Sequence, residues 1–139
     1  MTNSQASLDE IKESFGFFDD WEDKYRFIID LGKALETLPD SDRQESNLVR
    51  GCQSQVWLVP AVDSDSGTLQ LRIDSDAHIV RGLIAIVLAV YDGRTPEDAL
   101  AYDIEGLFED LALLKHLSPT RGNGLRALIG RIRDYAEAA

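Results

Sequence analysis

The stretch Gln55-Val56-Trp57-Leu58-Val59-Pro60-Ala61-Val62-Asp63-Ser64-Asp65-Ser66-Gly67-Thr68-Leu69-Gln70-Leu71-Arg72-Ile73 decides the fold. Its first part, 55–62, is rich in Val, Trp and Leu, and its last, 68–73, alternates Leu69, Leu71 and Ile73 with polar residues. Successive side chains of a strand point to opposite faces, so this alternation describes a strand with one face in a core. Between the two runs stands Asp63-Ser64-Asp65-Ser66-Gly67, all turn formers, and the runs are expected to pair as an antiparallel hairpin. Residues 47–50 are expected to add a third strand, with 51–54 as the turn that joins it to the hairpin.

On either side of this region the period becomes helical. Leu8, Ile11 and Phe15 mark a first helix over 7–17. Asp19 or Asp20 is placed to cap a second, with Trp21, Tyr25, Ile28, Ile29 and Leu35 inward and Glu22, Asp23, Lys24 and Arg26 outward. The polar segment 37–45 holds Pro39 and reads as a loop. Downstream, 77–91 is apolar nearly all round, which describes a buried helix, with Asp74, Ser75 and Asp76 as cap candidates. Thr95-Pro96 is an N-cap followed by Pro at the first helical position. Ser118-Pro119 either opens a helix in the same way or, given Gly122 and Gly124, lies in a turn. Leu125, Leu128, Ile129, Ile132 and Tyr135 mark the last helix. The expected fold is α+β, one domain over 1–139, with helices packed on a small three-stranded antiparallel sheet.

Charge narrows the function. The chain has 139 residues, 25 acidic and 14 basic, a formal net charge of −11. Binding nucleic acid requires cations that displace counterions from phosphates, so this balance argues against it, and an anionic membrane surface would repel the chain. The longest apolar run, 83–91, is far short of the roughly 20 residues that span a bilayer. The first ten residues lack the basic start and apolar centre of a signal peptide, so a cytoplasmic location is expected. From 115 to 133 there is no acid, while Lys115, Arg121, Arg126, Arg131 and Arg133 are basic. That patch suits an acidic partner. Its plainer reading, preferred for Arg131 and Arg133, is a solvated helix face whose cations complement the C-terminal end of the dipole.

Cys52 is the only cysteine, so no internal disulfide exists. A lone cysteine is commonly a small buried hydrophobe without chemistry. Here the neighbours are Arg50, Gly51, Gln53 and Ser54, a turn composition, which describes an accessible thiol, and Arg50 would favour its thiolate. A dithiol redox site lacks its second cysteine, and structural zinc would need more than one Cys and two His. A cysteine hydrolase would require His78 or His116 at Cys52. His116 reads more simply as a helix C-terminal residue and His78 as a structural residue at a helix start. The glycines form no phosphate-cradling motif.

The segments Trp21-Glu22-Asp23-Lys24-Tyr25 with Ile28-Ile29-Asp30-Leu31-Gly32, then 47–57, then Asp74-Ser75-Asp76-Ala77 with Ile79-Val80-Arg81-Gly82-Leu83-Ile84, then Leu117-Ser118-Pro119-Thr120-Arg121 carry a resemblance. In this order they resemble the SufE/CsdE family of sulfur acceptors over nearly the whole chain. Gly51-Cys52-Gln53-Ser54-Gln55-Val56-Trp57 is the most specific of them. The resemblance implies a fold shared with the U-type iron–sulfur scaffold proteins. It also implies that sulfur comes from a pyridoxal-phosphate-dependent cysteine desulfurase, which the acceptor stimulates, and goes to an iron–sulfur scaffold or another acceptor. The pyridoxal phosphate belongs to the partner, and no cofactor or metal is implied for this chain. Cys52 matches the persulfide-carrying cysteine, on a loop able to tuck into an apolar cavity. Gly51, Gln53 and Ser54 are then expected to meet the partner, Arg121 to assist by charge, and Asp74 to act structurally near the site. The resemblance leaves a homodimer open. It also leaves open a sulfur relay outside cluster assembly and a thiol-based regulatory or binding protein of the same fold.

Overall fold

Ser7 opens the first helix through a capping box: its hydroxyl accepts from the Glu10 N–H, and the Glu10 carboxylate accepts from the Ser7 N–H. In a computed structural model that describes residues 7–51 and 54–139, α1 (Leu8–Phe17) is followed by α2 (Trp21–Lys33), capped by Asp20. The loop after α2 contains two single-turn 3-10 helices, Asp40–Asp42 and Glu45–Asn47. The hairpin is β1 (Val56–Val62) and β2 (Leu69–Ser75), antiparallel, with Val56 opposite Ser75 and Val62 opposite Leu69. Then come α3 (His78–Tyr91), α4 (Pro96–Ala101), α5 (Ile104–Asp110) and α6 (Pro119–Ala138).

α3 is the centre of the molecule. Ile79, Leu83, Ile84, Ile86, Val87, Leu88, Val90 and Tyr91 are all buried in it, and α1, α2, the hairpin and α6 pack around it. Two glycines set its approach to α2. A Cβ at Gly82 would run into the Ile28 carbonyl, and one at Gly32 would lie 2.7 Å from the Gly82 nitrogen. The helices therefore touch backbone to backbone, an approach any larger residue prevents.

The α+β class holds, but among the described residues the sheet has two strands rather than three. The 3-10 turn Glu45–Asn47 holds the chain away from β1 until Leu48. Leu48 then forms a single antiparallel bridge to Trp57, and the Val49 N–H donates to the Val56 carbonyl at 2.8 Å. At Gly51 the backbone enters the left-handed region, φ +93°, and leaves the edge. The outer edge of β2 is covered by the turn after α3: the Leu69 N–H donates to the Arg94 carbonyl and the Leu71 N–H to the Asp92 carboxylate. Burial pushes the Asp92 carboxyl above its ordinary value, and the Leu71 N–H partly offsets that.

Other differences have local causes. Ser118 caps α6, which runs without a break through Gly122 and Gly124, so the turn reading there fails. Both glycines are buried on the inward face. None of Asp74, Ser75 and Asp76 caps α3, because β2 extends through Ser75 and Ala77 takes the N-cap position. α6 has no basic residue in its last turn; Arg131 donates to the Leu48 carbonyl and Arg133 to the Leu100 carbonyl, so both tie α6 to other segments. α5, not anticipated, is readable afterwards from its cap Asp103 and the spacing Ile104, Leu107, Phe108. His116 ends a 3-10 turn, Leu114–His116, and stacks on Trp21 with ring centres 4.2 Å apart.

Candidate functional site

Cys52 and Gln53 lie outside the described residues, so the site is built from what flanks them. Upstream, Gly51 is exposed and packs toward α6; a Cβ there would stand 3.3 Å from the Ala127 methyl. Downstream, Gln55 is held firmly. Its N–H donates to the Asp76 carboxylate at 3.1 Å, and its carbonyl accepts from the Ser75 hydroxyl at 2.6 Å and the Asp76 N–H at 3.3 Å. The loop thus leaves from a two-residue pairing at Leu48 and Val49 and returns to a fixed point at Gln55.

Ser54 lines a cavity of about 320 Å³, which falls at the small end of ligand pockets of roughly 300–1,000 Å³. Val56 joins it from β1, and Val80, Leu83 and Ile84 form its α3 wall. The α6 wall is Gly124, Leu125 and Leu128, with Ser118, Thr120 and Arg121 from the start of that helix. One side is therefore aliphatic and the other polar, with an exposed guanidinium beside the N-terminal end of a long helix. Among the described residues no carboxylate pairs with Arg121. The helix end and the guanidinium both favour a negative charge at this mouth.

Asp74 does not line the cavity. It stands opposite Trp57 in the register, on the other face of the hairpin from Val56, and is fully buried. One carboxylate oxygen accepts from the Leu38 N–H (2.9 Å) and from Arg43 (2.8 Å). The other accepts from the Ser75 N–H and from Arg81, whose guanidinium also donates to the Gly32 and Leu35 carbonyls at the end of α2. A buried charge is tolerated where hydrogen bonds and counter-charges surround it, and Asp74 has four donors, two of them guanidinium. Sequence reasoning missed Arg43 and Arg81. Neither is near Asp74 in the chain's local period, and no pattern signalled the contact.

His78 is exposed at the first turn of α3, and His116 is held against Trp21. Among the described residues no helix is long and apolar enough to cross a membrane.

An α+β unit that presents a short loop over an apolar cavity defines a class of small carrier-like proteins, and comparison supplies the family. The profile of SufE, the Fe-S metabolism associated domain, matches residues 9–136. An uncharacterized SufE-like protein of Rhizobium etli is 48% identical over 134 residues, 95% of this chain and 90% of that protein. One of Rhizobium meliloti is 47% identical over 95% of this chain and 96% of its own length. The chain belongs to the SufE family. The solution structure of a hypothetical protein from Thermus thermophilus superposes with a TM-score of 0.75 at 20% identity, over 95% of this chain and 94% of that one, and shows the same fold.

Proposed function

We propose that Cys52 accepts persulfide sulfur from a pyridoxal-phosphate-dependent cysteine desulfurase, that the chain stimulates this enzyme, and that it passes the sulfur on for iron–sulfur cluster assembly. The observation that carries this reading is the cavity: the residue two positions after Cys52 lies in its wall, in a chain of the SufE family. The Cys52 thiolate attacks the terminal sulfur of the partner's persulfide. A new S–S bond forms, the old one breaks, and the partner's cysteine leaves as thiolate, with no net oxidation. The aliphatic wall formed by Leu83, Ile84 and Leu128 suits a shelter that excludes reductants from the loaded sulfur. Arg121 assists by favouring the anionic sulfur at the mouth, and Gly51, Gln53 and Ser54 meet the desulfurase. Asp74 supports the hairpin from behind. In this reading residues 1–139 work as one unit in the cytoplasm.

The test is desulfurase turnover with and without the protein. Addition of the parent protein raises the rate. Cys52→Ser abolishes the increase while circular dichroism stays unchanged, since one sulfur is exchanged for oxygen in a turn that packs little. Full stimulation by Cys52→Ser would remove the cysteine from the function.

A further inference from the structure

Arg43 lies behind the loop, and neither the cavity nor the thiol chemistry uses it. Its guanidinium is held from two sides. One Nη donates to the buried Asp74 carboxylate at 2.8 Å, and the guanidinium carbon stands 5.2 Å from the centre of the Trp57 ring. The Asp74–Arg43 pair is partly shielded from water, and Trp57 is only 6% exposed. A guanidinium over an indole face is attracted by the ring's negative quadrupole, more so when desolvated. The clasp therefore joins the two residues that face each other across the hairpin, Trp57 and Asp74.

Its chain position gives the clasp a further consequence. The carbonyl of the preceding residue, Asp42, accepts from the Asn47 side-chain amide at 2.8 Å, which folds 42–47 into a short strap. The next residue, Leu48, makes the bridge to Trp57. Arg43 thus grips the Trp57 side chain while its strap delivers Leu48 to the Trp57 backbone, four residues before Cys52. Only that bridge and the Val49–Val56 hydrogen bond tie the upstream leg of the loop to β1 among the described residues. We propose that Arg43 is a positioning residue for the Cys52 loop: clasped between Asp74 and Trp57, it seats the pairing from which the loop departs. The inference rests on Cys52 being the working thiol, and its function is to keep that thiol in its resting, sheltered position.

Alkylation of Cys52 by iodoacetamide in the free protein reads the seating without desulfurase or sulfur, so it fails or succeeds separately from the carrier reading. Arg43→Gln raises the alkylation rate roughly fivefold under native conditions, as removal of an anchoring contact does to a local opening equilibrium. Arg43→Lys does not rescue it, because an ammonium lacks the planar fork that serves carboxylate and ring together. Arg26→Gln, which breaks an exposed pair with Glu22 on α2, leaves the rate unchanged. In a Trp21→Phe background the emission of Trp57, then the sole tryptophan, shifts on Arg43→Gln. A lower melting temperature with the parent alkylation rate would make Arg43 merely structural and overturn the proposal. If Arg43→Gln does not fold, Trp57→Phe carries the test, since it keeps the Asp74 pair and reduces the ring face. Parent-like alkylation of that variant would overturn the proposal equally.

Discussion

Asp74 shows what a single residue contributes and how little of it the local sequence reveals. In the chain it stands in an acidic triplet before a helix and reads as a cap. In the fold it is a wholly buried carboxylate that joins the strap at Leu38 and Arg43, the end of α2 through Arg81, and β2 itself. Removing the carboxylate strands two guanidinium groups and the Leu38 N–H. Asp74→Ala is expected to cost about 3–5 kcal/mol, the range for breaking a buried pair by deleting one partner. Urea denaturation measures it; a loss under about 1 kcal/mol, typical of exposed pairs, would show that the network carries little stability. Cys52 is the opposite case. Its turn neighbours Gly51 and Ser54 and its singularity were legible directly, because composition alone marks a turn. The surroundings of that turn were not. The cavity is assembled from β1, α3 and α6, segments distant from one another in the chain, and no local pattern encodes such a meeting.

At the scale of elements, the helices with strong periodicity and side-chain caps were legible to within a residue or two, as for α1 with Ser7 and α2 with Asp20. The third strand was not. Residues 47–50 have strand composition, but the preceding 3-10 turn and the left-handed Gly51 leave room for one bridge only, and both are decided by tertiary contacts of the strap. The glycines of α6 misled in the same way, since burial against the core outweighs the modest helix penalty of glycine. Glycine also gives the clearest test of element packing. Gly82→Ala would force α2 and α3 apart at the Ile28 carbonyl and is expected to cost about 1–3 kcal/mol or more. Gly130→Ala, on α6 with nothing within 4 Å, is expected to stabilise by about 0.4–1 kcal/mol by restricting the unfolded chain. Thermal melts of the two variants should move in opposite directions. Equal shifts would mean that the α2–α3 approach is looser than described.

Across the whole molecule, a net charge of −11 coexists with a cavity face whose Arg121 has no carboxylate partner among the described residues. If overall charge steered the desulfurase, the acids of α1 would matter most; if local docking governs, Arg121 would. Arg121→Ala is expected to impair stimulation more than the double change Glu10→Gln and Glu13→Gln, which keeps an amide to complete the capping box at Ser7. The reverse order would remove Arg121 from the site. The central claim is that sulfur resides on Cys52, and intact-mass spectrometry with peptide mapping tests it most directly. After incubation with a desulfurase from the same organism and free cysteine, the chain should gain the mass of one or more sulfur atoms, mapped to Cys52 and removed by a thiol reductant. If no desulfurase of that organism adds sulfur at Cys52, the carrier account is wrong.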